Sequence, residues 1–327
     1  CVAGADFDKD GDIDLFVGGG VKPGSFPQSS PSALLRNDTD NHGAVHFTLV
    51  TKELGGDQLR EAGLTTDAVW TDLDGNGWQD LVIAGHWMPV TVYLNNQGRL
   101  TKSTEPSLAE LSGLWNTIFA GDLDSDGDDD LIAGNAGLNT SWTASAAEPV
   151  EMYYADFNRD GKMDPVICSY VQGTSYPVAT RDELLGQLTH LRKKFTDYAS
   201  YAKATLSDVL TGEELALAQK RVVNTLQSVY LENNGRGGFN VVSLPSRAQF
   251  SWTSSLLSLD IDDDKDMDLL VGGNFNPWRT AYGPSDANFG VLLKGNGKGG
   301  WEAESQAHTS YFGEGDVRSM IKISDGS

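Results

Sequence analysis

The chain has 327 residues, 39% of them hydrophobic, enough for one large domain or two ordinary ones with a substantial core. Its 46 acidic side chains against 24 Lys and Arg give a formal charge of -22, which argues against binding to the phosphates of nucleic acid. No apolar run approaches the roughly 18 residues that cross a membrane as a helix, and the two cysteines, Cys1 and Cys168, make neither a disulfide framework nor a zinc or redox motif.

Cys1 leads straight into a short strand and an acidic loop, which argues against a lipid-modified terminus. That loop is the first copy of a nine-residue pattern, Asp6-Phe7-Asp8-Lys9-Asp10-Gly11-Asp12-Ile13-Asp14, with carboxylate or amide side chains at positions 1, 3, 5 and 9. The second copy places Asp72, Asp74, Asn76, Trp78 and Asp80 at positions 1, 3, 5, 7 and 9. The third places Asp122, Asp124, Asp126, Asp128 and Asp130 there, and the fourth Asp156, Asn158, Asp160, Lys162 and Asp164. The fifth has Asp260, Asp262, Asp264, Asp266 and Asp268, with Lys265 in place of the glycine at position 6.

An apolar stretch such as Ala68-Val69-Trp70 precedes most copies, and one such as Leu81-Val82-Ile83-Ala84-Gly85 follows. A second repeated element is an Asn/Gly hairpin turn, at Asn95-Asn96-Gln97-Gly98, Asn233-Asn234-Gly235 and Gly295-Asn296-Gly297. Strand, Asp loop, strand, loop, strand, Asn/Gly turn and strand make a four-stranded antiparallel blade. Several in series predict an all-β chain, a β-propeller of about five to seven blades, seven in the intact protein. Residues 1–327 are then a single propeller domain truncated at both ends, since Met320-Ile321-Lys322-Ile323-Ser324-Asp325-Gly326 reads as the start of another blade.

The step from Asp122 to Asp156 is too short for a full blade, so the fourth loop either occupies a hairpin within the third blade or starts a blade of its own. The step from Asp156 to Asp260 is too long, and a helical insertion over residues 180–227 fills it. Leu184, Leu185, Leu188, Leu191 and Phe195 share one helical face there. Thr180 with Glu183 and Thr211 with Glu214 fit capping boxes. The insertion is either a decoration of the propeller or a docking element for a partner.

The acidic loops have a chemical reading. Calcium takes six to eight oxygen ligands, and side chains at positions 1, 3, 5 and 9 with the carbonyl of position 7 can converge on one ion while glycine at position 6 makes the turn. No helix follows and the last acid is Asp at position 9, so these are β-hairpin sites and not EF-hands. About five structural Ca2+ sites are expected. Magnesium gives up its water too reluctantly for such a cage.

These loops, each followed by a strand and often Gly-Gly, resemble FG-GAP/VCBS repeats, the blades of integrin alpha-chain propellers and of many secreted bacterial proteins. The chain is most similar to the bacterial VCBS-repeat group that resembles cartilage acidic protein. The likeness rests on Val21-Lys22-Pro23-Gly24 before Leu34-Leu35-Arg36-Asn37-Asp38, and on Tyr176-Pro177 running through Arg181-Asp182-Glu183-Leu184-Leu185 to Tyr230-Leu231-Glu232-Asn233-Asn234-Gly235. It implies an extracellular or bacterial cell-surface propeller with structural calcium, and no defined reaction or ligand.

Within a blade the Asp loops share one face with the Asn/Gly turns. The opposite face is aromatic, with His86 and Trp87, Trp142, and Trp278, Arg279 and Tyr282 as candidate ligand-binding residues. The alternative is that these aromatics plug gaps between blades. The expected function is a non-catalytic binding or adhesion scaffold for glycan or an extracellular protein. The alternative is a carbohydrate-active enzyme of the polysaccharide-lyase kind. It would need a base near a calcium-held substrate carboxylate, but His42, His46, His86, His190 and His308 form no motif.

Overall fold

The computed structural model describes residues 1–39, 43–276, 283–309 and 311–323. The first sheet runs β1 (Val2–Ala5), β2 (Asp14–Val17), β3 (Ala33–Asn37) and β4 (Phe47–Leu49) in chain order. The second runs β5 (Leu64–Thr71), β6 (Asp80–Pro89), β7 (Thr91–Asn96) and β8 (Arg99–Lys102), with the short β9 (Ser112–Leu114) added to the far end of β6. The third sheet begins with β10 (Thr117–Gly121) and β11 (Asp130–Gly134), and then the chain leaves it.

The excursion is a sheet of its own, formed by β12 (Val150–Ala155), β13 (Asp164–Val171), β14 (Thr174–Pro177) and β15 (Gln219–Val223) in the order β14-β13-β12-β15. The third sheet is then completed by β16 (Val229–Asn233) and β17 (Phe239–Ser243), β16 pairing with β11. The fourth runs β18 (Thr253–Leu259), β19 (Asp268–Gly273), β20 (Val291–Gly295) and β21 (Trp301–Ala303). All pairings are antiparallel.

First strands contact one another in succession, β1 with β5, β5 with β10, and β10 with β18, so the four sheets follow in an arc. β11, with a neighbouring sheet on each face, loses all alternation, and every residue of it is buried, whereas β2 in the first sheet still alternates. Gly134, at its end, could not carry a side chain, because a Cβ would lie 2.7 Å from Thr117 of its own sheet and from Thr253 of the next.

The inserted sheet decides between the two placements of the fourth loop: it joins the first two strands of a separate sheet and does not cap a hairpin of the third blade. An Asp loop specifies only that two strands pair, and says nothing of which strand joins next. Helical turns fall within Arg181–Gln187, Thr189–Lys193, Tyr198–Tyr201, Leu206–Val209 and Gly212–Leu217 and carry the chain from β14 to the opposite sheet edge at β15. The helical part therefore stops short of 227. Both expected capping boxes form, and a third joins Thr205 to Asp208. The expected apolar face is buried in full, with Leu184, Leu185, Leu188, Leu191 and Phe195 packed on Val166 and Cys168 of β13. Residues 320–323 carry no strand, and the rest of the stretch read as a further blade lies outside the described residues.

Candidate metal loops and the face beneath the inserted sheet

All five acidic loops have one conformation. In each, the residue before position 1 pairs with the Asp at position 9, as Ala5 with Asp14, Thr71 with Asp80 and Gly121 with Asp130, Ala155 with Asp164 and Leu259 with Asp268. Position 6 is left-handed throughout, including Lys265 at φ 76°, which takes the glycine conformation at a cost of roughly 1–2 kcal/mol. In four loops the carboxylate at position 1 accepts from the backbone N–H groups of positions 5 and 6, at 2.7–3.2 Å. In all five the side chain at position 5 accepts from the N–H of position 7.

Position 9 has a structural task of its own. One oxygen of each carboxylate accepts from the N–H of position 2, from Phe7 at 3.2 Å, Leu73 at 2.9 Å and Leu123 at 3.2 Å in the first three loops. In the four sheets of the arc the other oxygen accepts from the third strand, at Asn37, Asn95, Asn233 or Gly295, over 2.6–3.1 Å. These carboxylates are buried, and desolvation pushes Asp14, Asp80 and Asp130 up to about 6 against the hydrogen bonds that lower them. In the inserted sheet Asp164 has no third-strand donor of this kind among the described residues. The amide of Asn158 fills that role at 3.5 Å and also donates to the Gln187 carbonyl.

Two residues read from sequence only as turn formers join neighbouring sheets. The Asn95 amide donates to the carbonyl of Phe7, in the preceding sheet's loop, at 2.8 Å and to that of Gln79 at 2.9 Å. The Asn233 amide repeats this one sheet on, at Leu73 and Asp129. Lys9 adds a cation–π contact across loops, 4.5 Å from the Trp78 ring. The fourth sheet has Gly295 at the equivalent place and lacks the clip.

Among the described residues, four loops bring three acidic oxygens within 4.8 Å of one another. They are at Asp6, Asp8 and Asp10; at Asp72, Asp74 and Asp80; at Asp122, Asp124 and Asp126; and at Asp260, Asp262 and Asp268. Oδ1 of Asp8 is buried there with no hydrogen-bond donor, and burial, then repulsion from Asp10, raises its pKa. Such clusters of hard oxygens fit a divalent cation of the calcium type. The fourth loop makes no such cluster, since Asn158 turns its amide towards Asp160 and Asp164. In the fifth, the Lys294 ammonium sits on Asp262 and holds its carboxyl below the usual range.

The aromatic residues of the other face are placed differently from the expectation. Trp87 and Trp142 are each only 7% exposed, so neither presents a ring to solvent. They pack with Leu64, Leu114 and Trp252 against Val150, Met152 and Tyr154 of the inserted sheet. Trp87 lies at an irregularity where β6 takes up β9, in a left-handed conformation. His86 bonds Asn116 at 2.9 Å and meets Trp252 edge-on, and burial lowers its pKa. The inserted sheet is thus a middle layer, its even-numbered β12 residues on the arc and its opposite face under the helices. Sequence patterning showed these aromatics next to turns but not the sheet that covers them. Trp278, Arg279 and Tyr282 lie outside the described residues. Burial pushes the Cys168 thiol up to about 12, leaving it inert at neutral pH.

The fold and loops define an all-β protein built from four-stranded antiparallel sheets with acidic loops of metal-ligand type. Residues 72–133 match the model of the FG-GAP-like repeat, from the second Asp loop through the third. No curated protein matches the chain. Among solved structures it is similar to an Agrocybe aegerita lectin that recognises non-reducing terminal N-acetylglucosamine. Identity is 16%, with a TM-score of 0.30, over 93% of this chain and 65% of the lectin. It is also similar to the V. cholerae biofilm matrix protein Bap1, at 13% identity and a TM-score of 0.32, over 92% of this chain and 38% of the other. The chain thus spans less than two thirds of either, and neither likeness is close enough to carry a function across.

Proposed function

We propose that the chain is a calcium-loaded β-propeller acting outside the cell as a non-catalytic binding or adhesion scaffold for glycan or protein. The observation that carries this reading is the repeated loop, one conformation in five copies, tied by position 9 to its own sheet and by Asn95 and Asn233 to the sheet before. The succession of first strands supports the propeller arrangement, and the FG-GAP-like match over 72–133 supports the repeat class.

Bound calcium would offset the mutual repulsion of the clustered carboxylates. Asp6, Asp8 and Asp10 in the first loop and Asp122, Asp124 and Asp126 in the third would hold it through positions 1, 3 and 5, and Asp72, Asp74 and Asp80 in the second and Asp260, Asp262 and Asp268 in the fifth through positions 1, 3 and 9. This is a structural use of acidity. The hydrogen bond of half-buried His86 to Asn116 and its edge-on contact with Trp252 support a packing role for it, and with that the scaffold over a lyase.

A glycan array read beside an absorbance assay for unsaturated products on acidic polysaccharides tests the function. The scaffold reading expects saturable binding to a glycan or protein and no absorbance increase. Turnover of any polysaccharide would replace it with the enzymatic reading.

A further inference from the structure

A cleft of about 620 Å³ opens between the β2–β3 connection, the turn before β5 and the edge of the inserted sheet at β15. Its size lies within the roughly 300–1,000 Å³ typical of small-molecule sites. The cleft inverts the charge of the molecule. Overall, 46 acids face 24 bases, whereas the charged groups lining the cleft are Lys22, Arg60 and Arg221 against Glu61 alone.

These cations are available. Arg221 is steadied by Tyr154, whose hydroxyl lies 3.4 Å from Nε and whose ring centre is 5.8 Å from the guanidinium. Among the described residues, neither Arg221 nor Lys22 has a carboxylate within ion-pair distance. Arg60 reaches Glu61 at 3.5 Å, on a side chain 72% exposed, where such a pair is weak. Gln28 and Gln219 complete the lining with amides that both donate and accept.

We propose that this cleft binds an anionic saccharide, a sugar carrying carboxylate or sulfate, with Arg221 and Lys22 as its anion contacts. A planar guanidinium suits a bidentate oxyanion. Amides beside it match the several hydroxyls of a sugar ring, and the Tyr154 ring and Pro31 in the lining offer apolar surface for the ring's C–H face. The proposal rests on the binding-scaffold reading and supplies its ligand class. The cleft lies at the end of the first sheet away from the Asp6 loop, so its occupant is not bridged through calcium at that loop.

The test is calorimetric titration of the full chain in saturating calcium with three tetrasaccharides, one containing glucuronate, one sulfated and one neutral. At least one acidic ligand should bind tenfold or more tightly than the neutral one, and added salt should weaken it. Lys22→Gln, on an exposed loop where folding is not at stake, and Arg221→Gln should each weaken it tenfold or more. Equal binding of neutral and acidic ligands, or no binding of either acidic one, overturns the proposal. Acidic binding untouched by both substitutions removes the cleft but leaves the scaffold reading standing. An array showing no glycan ligand removes the glycan arm of that reading as well.

Discussion

Removing calcium with EGTA at pH 7.5 should lower the melting temperature of this chain by roughly 10–20 °C. A site at about a hundredfold excess of ligand over Kd contributes about 2.7 kcal/mol, and four loops bring their acids together closely enough to count. Without a cation, several carboxylates share each loop and repel one another. Scanning calorimetry in calcium and in EGTA checks the expectation; coincident curves would sink it.

The pH dependence should also change sign. Asp14, Asp80 and Asp130 are pushed up to about 6, above the unfolded value of about 4, so the metal-free fold takes up their protons more readily than the unfolded chain does. The stability this gives is fully present below pH 4 and is lost as pH rises through 6. In EGTA, melting temperature should therefore fall from pH 5 to pH 7. In calcium it should rise over the same interval, because protons compete with the cation for the carboxylates.

Asp130→Ala and Asp126→Ala should separate the two tasks of the loop. Asp130 accepts from the N–H groups of Leu123 and Asn233 and from the Tyr230 hydroxyl at 2.7 Å, all buried. Its removal strands these donors, at about 1–3 kcal/mol each, so a loss of about 3–5 kcal/mol is expected with or without calcium. Asp126 is exposed and, among the described residues, accepts only from Asp128 N–H, so its substitution should cost stability in calcium alone. In EGTA it should be neutral or slightly stabilising, since one repelling charge is gone. Urea unfolding of both variants in both conditions reads the difference. Equal calcium dependence in the two would mean that position 9 is only a ligand.

Much of this was legible in the residues. The Asp spacing gave the hairpins, Asn95 and Asn233 marked the third-to-fourth strand turns, and the leucine periodicity with Thr180 and Thr211 gave the helical segment. What escaped was non-local. Nothing near Asp156 says that β13 turns to β14 while the third sheet waits for β16. The burial of Trp87 and Trp142 follows from that same sheet. The clip made by Asn95 joins residues 88 positions apart. The fifth loop shows the converse, since Lys265, a residue that disfavours the left-handed region, holds the same conformation as the glycine of the other copies.

The most direct measurement is a count of calcium ions held per chain, by equilibrium dialysis or native mass spectrometry, with one loop disabled at a time. Four ions are expected, those at Asp6, Asp72 and Asp122 binding more tightly than the one at Asp260. Asp8→Ala, Asp74→Ala, Asp124→Ala and Asp262→Ala should each remove one, and Asp160→Ala none. Retention of no calcium, or a count unmoved by all these substitutions, would contradict the account.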